Sequence, residues 1–257
     1  MLAPKLAQLA GGPRPAGRVV VCLGDSITHG QVSADWVGQL QARHGRSGLT
    51  IVNAGVDGDL AWTALQRLDA VIGLRPDVVI LLIGTNDVAA SAGPEAAQAF
   101  RLTQQLPADV TPTLDWYEEN VAAILDRLAR ETDASVAVVE LPPAGEDLAS
   151  PENLKTARYN AVLRRLADAH AIPVLPLFER LTAMLPAGHR PPDPRRISRL
   201  GRSSVRRRLL RQSWDQISAA RGLVLLHDHV HLNDRSGAVL VELVDPLLNA
   251  APPARQP

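Results

Sequence analysis

Five short runs of apolar, mostly β-branched residues recur along this chain and constrain its fold more than any other feature. The residues in each run are apolar in succession rather than in alternation, which is typical of strands buried on both faces of a parallel sheet. Segments of helical periodicity separate the runs. This alternation predicts one α/β domain, a three-layer α/β/α sandwich around a five-stranded parallel sheet. The predicted strands are residues 18–23, 50–54, 78–83, 135–141 and 172–177.

Two of the predicted helices carry recognisable start signals. Within residues 115–131, Asp115 and Glu118 stand at the spacing of a capping box. A second helix begins at Ser150, with proline at its first helical position, and runs to about Ala169. Weaker helical patterns cover residues 34–43, 59–73 and 236–249.

Composition sets the limits of the domain and excludes several classes of function. The ends, 1–17 and 250–257, are rich in Pro, Gly and Ala, so we expect loose segments around a domain of residues 18–249. The 27 basic and 27 acidic residues balance, so no overall field attracts nucleic acid. Cys22 is the only cysteine, and we expect it to be a buried hydrophobe. With neither a long apolar stretch nor a signal-peptide pattern, the sequence predicts a cytoplasmic protein, although a processed secreted form stays open.

A serine follows directly on the first predicted strand. The stretch "VVCLGDSITHG", residues 20–30, places Ser26 where a strand turns into a helix. A serine there is exposed and lies close to the positive end of the helix dipole. It can serve as a nucleophile once a base takes its proton. Serine is also a preferred helix N-cap residue, so the stretch alone leaves both interpretations open.

Three further stretches follow predicted strands or a predicted turn. Gly55, in "NAGVDGD", can bring a backbone N–H close to a ligand, and Asn86, in "IGTNDV", can offer a side-chain amide to a developing oxyanion. In "LLHDHVHLND", Asp228 and His231 are spaced so that the carboxylate can reach one ring nitrogen and leave the other for a serine. Ligands of parallel sheets bind beyond the carboxyl ends of the strands, so we expect these residues at one edge. Each stretch alone is also compatible with an ordinary polar turn.

A metal site is a rival interpretation of the last stretch. His227, His229 and His231 alternate, so on a strand their rings would point to one side, as metal ligands do. The alternation equally allows one catalytic histidine with two bystanders. The remaining histidines are expected to be surface or loop residues; they are His29, His44, His170 and His189.

Together the four stretches resemble the SGNH subgroup of the GDSL esterase/lipase family, in the family's order. The matching blocks are "GDSI" at 24–27, "NAG" at 53–55, "GTND" at 84–87 and "DHVH" at 228–231, with Ile27 in place of the family's leucine. The resemblance implies the flavodoxin-like SGNH hydrolase fold and a serine esterase without metal or cofactor. It implies that Ser26 is the nucleophile, His231 the base and Asp228 its orienting carboxylate, with an oxyanion hole formed by Ser26, Gly55 and Asn86.

The expected substrate is a small ester, with a short to medium acyl chain or a lipid ester. Carbohydrate O-deacetylation and acyl transfer to an alcohol are alternatives at the same site. Two alternatives come from other classes. One is a metal-dependent hydrolase that uses the histidines of residues 227–231, and the other is a non-catalytic binding protein of the same fold. The oligomeric state cannot be read from the sequence.

Residues 190–211 do not follow the family pattern. They hold nine arginines and one acid, Asp193, within an insertion at about 186–220. Their apolar spacing predicts a rough helix over 203–218. Three interpretations compete: a solvated basic helix, a lid over the ester site, or a surface from Arg195 to Arg211 that contacts anionic lipid or an acidic partner. Nucleic-acid binding is not expected, because no recognisable module or interleaved aromatic residues accompany the arginines.

Overall fold

A computed structural model describes Leu6, residues 11–192 and residues 211–249 of the chain. A parallel five-stranded sheet forms the middle layer, in the order β2-β1-β3-β4-β5. The predicted α/β/α fold is therefore confirmed. The strands are β1 (Arg18–Gly24), β2 (Leu49–Gly55), β3 (Val78–Leu82), β4 (Ser135–Val139) and β5 (Val174–Leu175).

Helices cover both faces of this sheet. The described helices are α1 (Ser26–His29), α2 (Trp36–Arg43), α3 (Ala61–Gln66), α4 (Leu68–Ile72), α5 (Thr85–Ala90), α6 (Pro94–Leu102), α7 (Leu114–Glu131), α8 (Pro151–Ala169), α9 (Leu177–Thr182), α10 (Trp214–Ala219) and α11 (Asp234–Asn249). Helices α2 and α9 both pack on α11, whereas α3 and α8 both pack on α7. Right-handed crossovers place these two groups on opposite faces of the sheet.

The central strands explain the unbroken apolar runs. Every residue of β3, and every residue of β1 after Arg18, is buried. The pairing register aligns Gly24, the last residue of β1, with Gly55 on one side and Leu82 on the other. Three strands therefore end at one level, and the loops that follow them share one edge of the sheet.

Two predicted elements differ in extent from the observed ones. The fifth apolar run yields only two strand residues, because Pro173 and Pro176 have no N–H to donate to a ladder. The predicted helix 59–73 is split at Arg67 into α3 and α4, since the Arg67 side chain turns inward and is only 4% exposed.

The start of α7 also differs from the prediction. Thr113, not Asp115, is the N-cap residue, and its side chain accepts a 3.1 Å hydrogen bond from the backbone N–H of Trp116. The predicted capping box is therefore wrong, because the helix begins before the residue assigned to start it. Ser150 caps α8 as predicted, with Pro151 at the first helical position.

Two described residues of the N-terminal segment contact the domain. Leu6 is buried in the core, and the guanidinium of Arg14 donates to the carbonyl oxygens of Arg75 (3.1 Å) and Gly17 (3.0 Å). The expectation of a loose segment is thus wrong for these residues. Cys22 is buried, as expected. Within the described residues, the structure contains no helix with the length and apolarity needed to span a membrane.

Candidate active site

Ser26 stands in a sharp turn between β1 and α1. The carboxylate of Asp25 caps α1 by accepting a 2.9 Å hydrogen bond from the N–H of Ile27, so Ser26 is not the N-cap residue. This leaves the hydroxyl of Ser26 free for another partner. Its Oγ lies 3.0 Å from Nε2 of His231, and the residue is 7% exposed.

The loop before α11 holds His231 in a fixed orientation. Asp228 Oδ2 lies 2.8 Å from His231 Nδ1, while Asp228 Oδ1 accepts backbone N–H groups from Val230 (2.8 Å) and His231 (2.7 Å). Burial alone raises the pKa of Asp228, but the hydrogen bond and charge of His231 outweigh it and hold this pKa well below its usual range. Asp228 is therefore a carboxylate, and Nδ1 of His231 carries the proton between them.

Asn86 lies in the first turn of α5, directly after β3. Its amide nitrogen donates a 2.9 Å hydrogen bond to the carbonyl oxygen of Asp59, in the loop after β2. One N–H of the amide is thus used to fix the side chain, and the second remains for a ligand. The bond joins the two loops that the sequence assigns to the oxyanion hole.

Gly55 does not present its N–H to this site. The group donates instead to Asn53 Oδ1 at 2.9 Å, and a Cβ built on Gly55 would lie 2.2 Å from the backbone nitrogen of His29. Gly55 is therefore a close-packing position between β2 and α1, and its assignment to the oxyanion hole is corrected. The sequence shows why the choice was open, because a second glycine, Gly58, follows three residues later in the same loop.

Gly58 has the properties that were expected of Gly55. Its φ of 79° lies in the left-handed region that favours glycine, and its neighbour Asp59 holds Asn86. Among the hydrogen bonds of the described backbone, none engages the N–H of Gly58. This N–H therefore replaces that of Gly55 as the candidate donor from the second loop.

Arg67 connects the loops beneath the site. Its Nε donates to the carboxylate of Asp59 at 2.7 Å, and one Nη donates to the carbonyl oxygen of Gly24 at 3.0 Å. The serine turn and the loop that holds Asn86 are thus tied to one buried guanidinium. Arg67 could not be singled out from the sequence, because its position within an apparent helix gives no signal of this role.

Two buried carboxyl groups lie close to the site. Desolvation raises the pKa of Asp25 from its ordinary value of 3.8 to about 7, against the opposing effect of the Ile27 N–H. It raises that of Asp87 to about 7 as well, and the nearby charge of Asp25 adds to this effect. These groups are protonated over much of the acidic range, when ordinary surface carboxyls are ionised.

The three alternating histidines do not form the cluster that the rival metal-site interpretation requires. Residues 226–232 make a tight antiparallel turn, with the His227 N–H bonded to the His231 carbonyl oxygen at 3.1 Å, rather than a strand. Among the described residues, the side chains close enough to share a metal ion are those of His227, Asp228 and His231, without His229. In this group the Asp228 carboxylate is already hydrogen-bonded to His231.

A buried carboxylate on a neighbouring loop anchors this turn. Glu146 accepts backbone N–H groups from Val224, Leu225 and Leu226 at 2.6–3.1 Å, and it lies 2.8 Å from His189 Nε2. Glu146 was missed in the sequence, because a lone glutamate between Gly and Asp resembles any polar loop residue.

The histidines outside this turn were expected at the surface or in loops. His44 lies in the turn after α2, as expected of a loop residue, but it is only 7% exposed and its Nε2 lies 2.6 Å from Asp245. His189 lies in a loop, as expected, and His29 and His170 are partly buried at the ends of α1 and α8. None of these rings contacts Ser26 in the described hydrogen bonds.

A cavity of about 460 Å³ lies far from this chemistry. It is lined by residues at the amino ends of the strands, among them Val78, Ser135 and Pro173. Because the strands are parallel, this is the edge of the sheet opposite to Ser26. Cavity size therefore does not locate the candidate site, whereas the hydrogen-bonded serine and histidine do.

The fold and the site place this protein among the α/β/α ester hydrolases that carry a serine beyond the first strand. The chain belongs to the GDSL-like lipase/acylhydrolase family, whose model matches residues 22–235. It is an SGNH-type esterase by this membership. No curated protein sequence matches it significantly.

Several solved structures share the fold at low sequence identity. An acetyl xylan esterase, AlAXEase, is 19% identical with a TM-score of 0.63, covering 90% of this chain and 99% of its own. Axe2, an acetylxylan esterase from Geobacillus stearothermophilus, is 18% identical with a TM-score of 0.61 (95% and 99%). LAE5, an α/β hydrolase from a Lake Arreo metagenome, is 20% identical with a TM-score of 0.60 (91% and 96%).

Proposed function

We propose that this protein hydrolyses carboxylic esters through an acyl-enzyme on Ser26. His231 Nε2 takes the proton of Ser26 Oγ as the oxygen attacks the ester carbonyl. The same nitrogen then gives this proton to the alcohol that leaves. Asp228 stabilises the imidazolium that forms in each step and keeps its Nδ1–H in place. Water, activated by His231, releases the acid and restores Ser26.

Three N–H groups are positioned to stabilise the oxyanion. The backbone N–H of Ser26 stands at the start of α1, and the N–H of Gly58 stands in the loop after β2. The second amide proton of Asn86 completes the set, with Asp59 fixing the first. Donors held in place by the fold stabilise the negative charge of the transition state without reorganisation.

The 3.0 Å contact between Ser26 Oγ and His231 Nε2 carries this proposal. A fluorophosphonate should label the wild-type protein at Ser26. Ser26→Ala should abolish this labelling and lower the rate of ester hydrolysis by about 10³-fold or more. Because Asp25 rather than Ser26 caps α1, the substitution should leave the free energy of unfolding nearly unchanged. Labelling at another residue would contradict the proposal, and so would turnover abolished by a chelator.

The substrate class rests on the comparisons and not on a described pocket. Short- to medium-chain carboxylic esters or lipid esters are one candidate class. Removal of O-acetyl groups from carbohydrates is a second, because two of the similar structures named above are acetylxylan esterases. Rates on chromogenic esters of increasing acyl length, compared with acetate release from acetylated xylo-oligosaccharides, separate the two classes. A preference for acetyl sugars over simple acetates would favour the second.

A further inference from the structure

The ring of His227 is held next to the proposed catalytic base. It is fully buried, and it lies nearly parallel to the ring of Trp214, with centroids 3.9 Å apart and 12° between the planes. The ring of His231 is also nearly parallel to that of His227, with a centroid distance of 5.8 Å and an angle of 14°. Trp214 is in turn fixed through its indole N–H, which donates to the carbonyl oxygen of Ser33 at 3.1 Å. Trp214, His227 and His231 thus form a series of three nearly parallel rings, in which His227 is paired with each of the other two.

The hydrogen bonds of His227 determine its tautomer. Nε2 lies 2.7 Å from the carbonyl oxygen of Val32, which can only accept, so this nitrogen carries a proton. The other nitrogen, Nδ1, is buried without a hydrogen-bond partner and lies 3.8 Å from Asp228 Oδ2. A ring with protons on both nitrogens would direct Nδ1–H at this carboxylate oxygen. The same oxygen is the one that accepts from His231 Nδ1.

The groups around His227 act on its protonation in opposite directions. Burial lowers its pKa, and the charges of Arg221 and of a protonated His231 add to this, whereas the charge of Asp228 and the bond to Val32 oppose it. Arg221 donates to the His227 carbonyl oxygen, and Trp214 of α10 contributes an uncharged ring. The net lowering agrees with a neutral ring at the pH where an esterase works.

We propose that His227 is a positioning residue for His231. Its neutral ring, stacked on Trp214 and nearly parallel to His231, fixes the plane of the catalytic imidazole. Because Nδ1 of His227 carries no proton, it does not compete with the Nδ1–H of His231 for a hydrogen bond to Asp228 Oδ2. This inference rests on the proposed function, since it assigns His227 a part in orienting the base that activates Ser26.

Histidine NMR of the wild-type protein tests the inference without a substitution. As the pH is lowered through the acid limb of kcat/KM, the ¹⁵N signals of His231 should show protonation. Those of His227 should remain those of a neutral ring with the proton on Nε2. If His227 gains its second proton before His231 does, the inference is wrong. The proposed function has a test of its own, fluorophosphonate labelling of Ser26, so the two can fail independently.

Kinetics of two variants provide the second test. Removing the ring in His227→Ala should lower kcat roughly threefold to tenfold, the range expected for aromatic pairs, and leave KM within about twofold. The proton between His231 and Asp228 should then exchange faster with solvent. His227→Phe retains a flat ring and should keep more of kcat than His227→Ala. His229→Ala, in the same turn but outside the series of rings, serves as the matched control and should behave as wild type.

A purely structural role makes a different prediction. In that case His227→Ala would lower the free energy of unfolding but leave both the kcat of the folded variant and the exchange rate of the His231 proton unchanged, which overturns the inference. If His227→Ala does not fold, the order of protonation in the wild-type protein still decides it.

Discussion

The carboxylate of Glu146 accepts a 2.6 Å hydrogen bond from the backbone N–H of Leu225, across 79 residues of sequence. The same carboxylate also accepts N–H groups from Val224 and Leu226. In a sheet, a neighbouring strand would accept these backbone N–H groups. Here the buried carboxylate accepts them, and it thereby anchors the segment that leads into Asp228 and His231. His189 stands at its other oxygen, 2.8 Å away.

Glu146→Ala should therefore destabilise the protein and impair catalysis together. The change leaves three backbone N–H groups without an acceptor, and a buried unsatisfied donor costs about 1–3 kcal/mol. We expect the free energy of unfolding in urea to fall by roughly 3 kcal/mol or more, with a lower kcat at temperatures where the variant is folded. Glu119→Ala removes an exposed glutamate from α7 and should change neither quantity. Equal stability of the two variants would show that Glu146 is not the anchor.

The two glycines of the loop after β2 should respond differently to a methyl group. In Gly55→Ala the new Cβ would lie 2.2 Å from the backbone nitrogen of His29, which cannot move without shifting α1. We expect a loss of about 2 kcal/mol or more in the free energy of unfolding, as for other overpacked sites. In Gly58→Ala the Cβ would meet the flexible end of Gln105, so the loss of stability should be limited to about 1–2 kcal/mol of backbone strain at φ 79°, and kcat should fall as the loop shifts. Full stability of Gly55→Ala would contradict the packing role.

Asn86→Ala should act on the transition state. Removing an oxyanion donor of this kind lowers kcat about 10²–10³-fold, with a smaller change in KM. Initial rates over a range of substrate concentrations measure both parameters. Asn86→Asp retains the size of the side chain but replaces the donor with a negative charge, so it should be at least as impaired. Activity of Asn86→Ala within threefold of wild type would remove this residue from the oxyanion hole.

Asp87 should make stability depend on pH in an unusual direction. Its pKa rises from the ordinary 3.8 to about 7 in the folded protein, so between these values the folded state binds more protons than the unfolded state. Stability from this group is therefore complete below about pH 4 and is lost as the pH rises through 7. Asp87→Asn cannot ionise and can still accept the Ala61 N–H.

Urea unfolding of both proteins from pH 4 to pH 8 checks this prediction. The free energy of unfolding of Asp87→Asn, relative to wild type, should increase by at least about 2 kcal/mol across that range. A constant difference would mean that Asp87 ionises normally in the folded protein. Asp69→Asn provides a control, because this carboxylate is exposed.

The sequence predicted those parts of the molecule that depend on local pattern. Unbroken apolar runs identified the central strands, since a parallel sheet buries both faces of each strand. The serine, asparagine and Asp-x-x-His positions could be proposed because each directly follows a strand or lies in the final turn. The assignment of Gly55 failed because it depends on whether that N–H already has a partner, and the partner is the side chain of Asn53.

The contacts that support the site could not be predicted because they join distant segments. Arg67 reaches Gly24 across 43 residues, and His227 reaches Val32 across 195. Neither residue has a neighbour in sequence that reveals its partner. The alternation of histidines was misleading for a related reason, because it assumes an extended strand where the chain makes a tight turn.

The three interpretations of the arginine-rich segment, as a solvated helix, a lid or an anionic contact surface, concern mainly residues 193–210, which lie outside the described part of the chain. Half of the helix predicted over 203–218 lies there as well. In the described half, residues 211–213 are not helical, and α10 begins at Trp214. The described residues on either side of the segment both touch the supports of the catalytic loop. His189 contacts Glu146 before the segment, and Trp214 stacks on His227 after it.

A segment with both ends at the catalytic loop is well placed to influence which substrates enter. We therefore expect joint substitution of Arg206, Arg207 and Arg208 by alanine to lower kcat/KM for an anionic ester more than for a neutral ester of the same acyl group. Added salt should reduce this difference in the wild-type protein, because screening weakens attraction between exposed charges. Steady-state rates on the two esters, at low and high ionic strength, measure the effect. An equal response of both esters, insensitive to salt, would leave the arginines without a role in substrate selection.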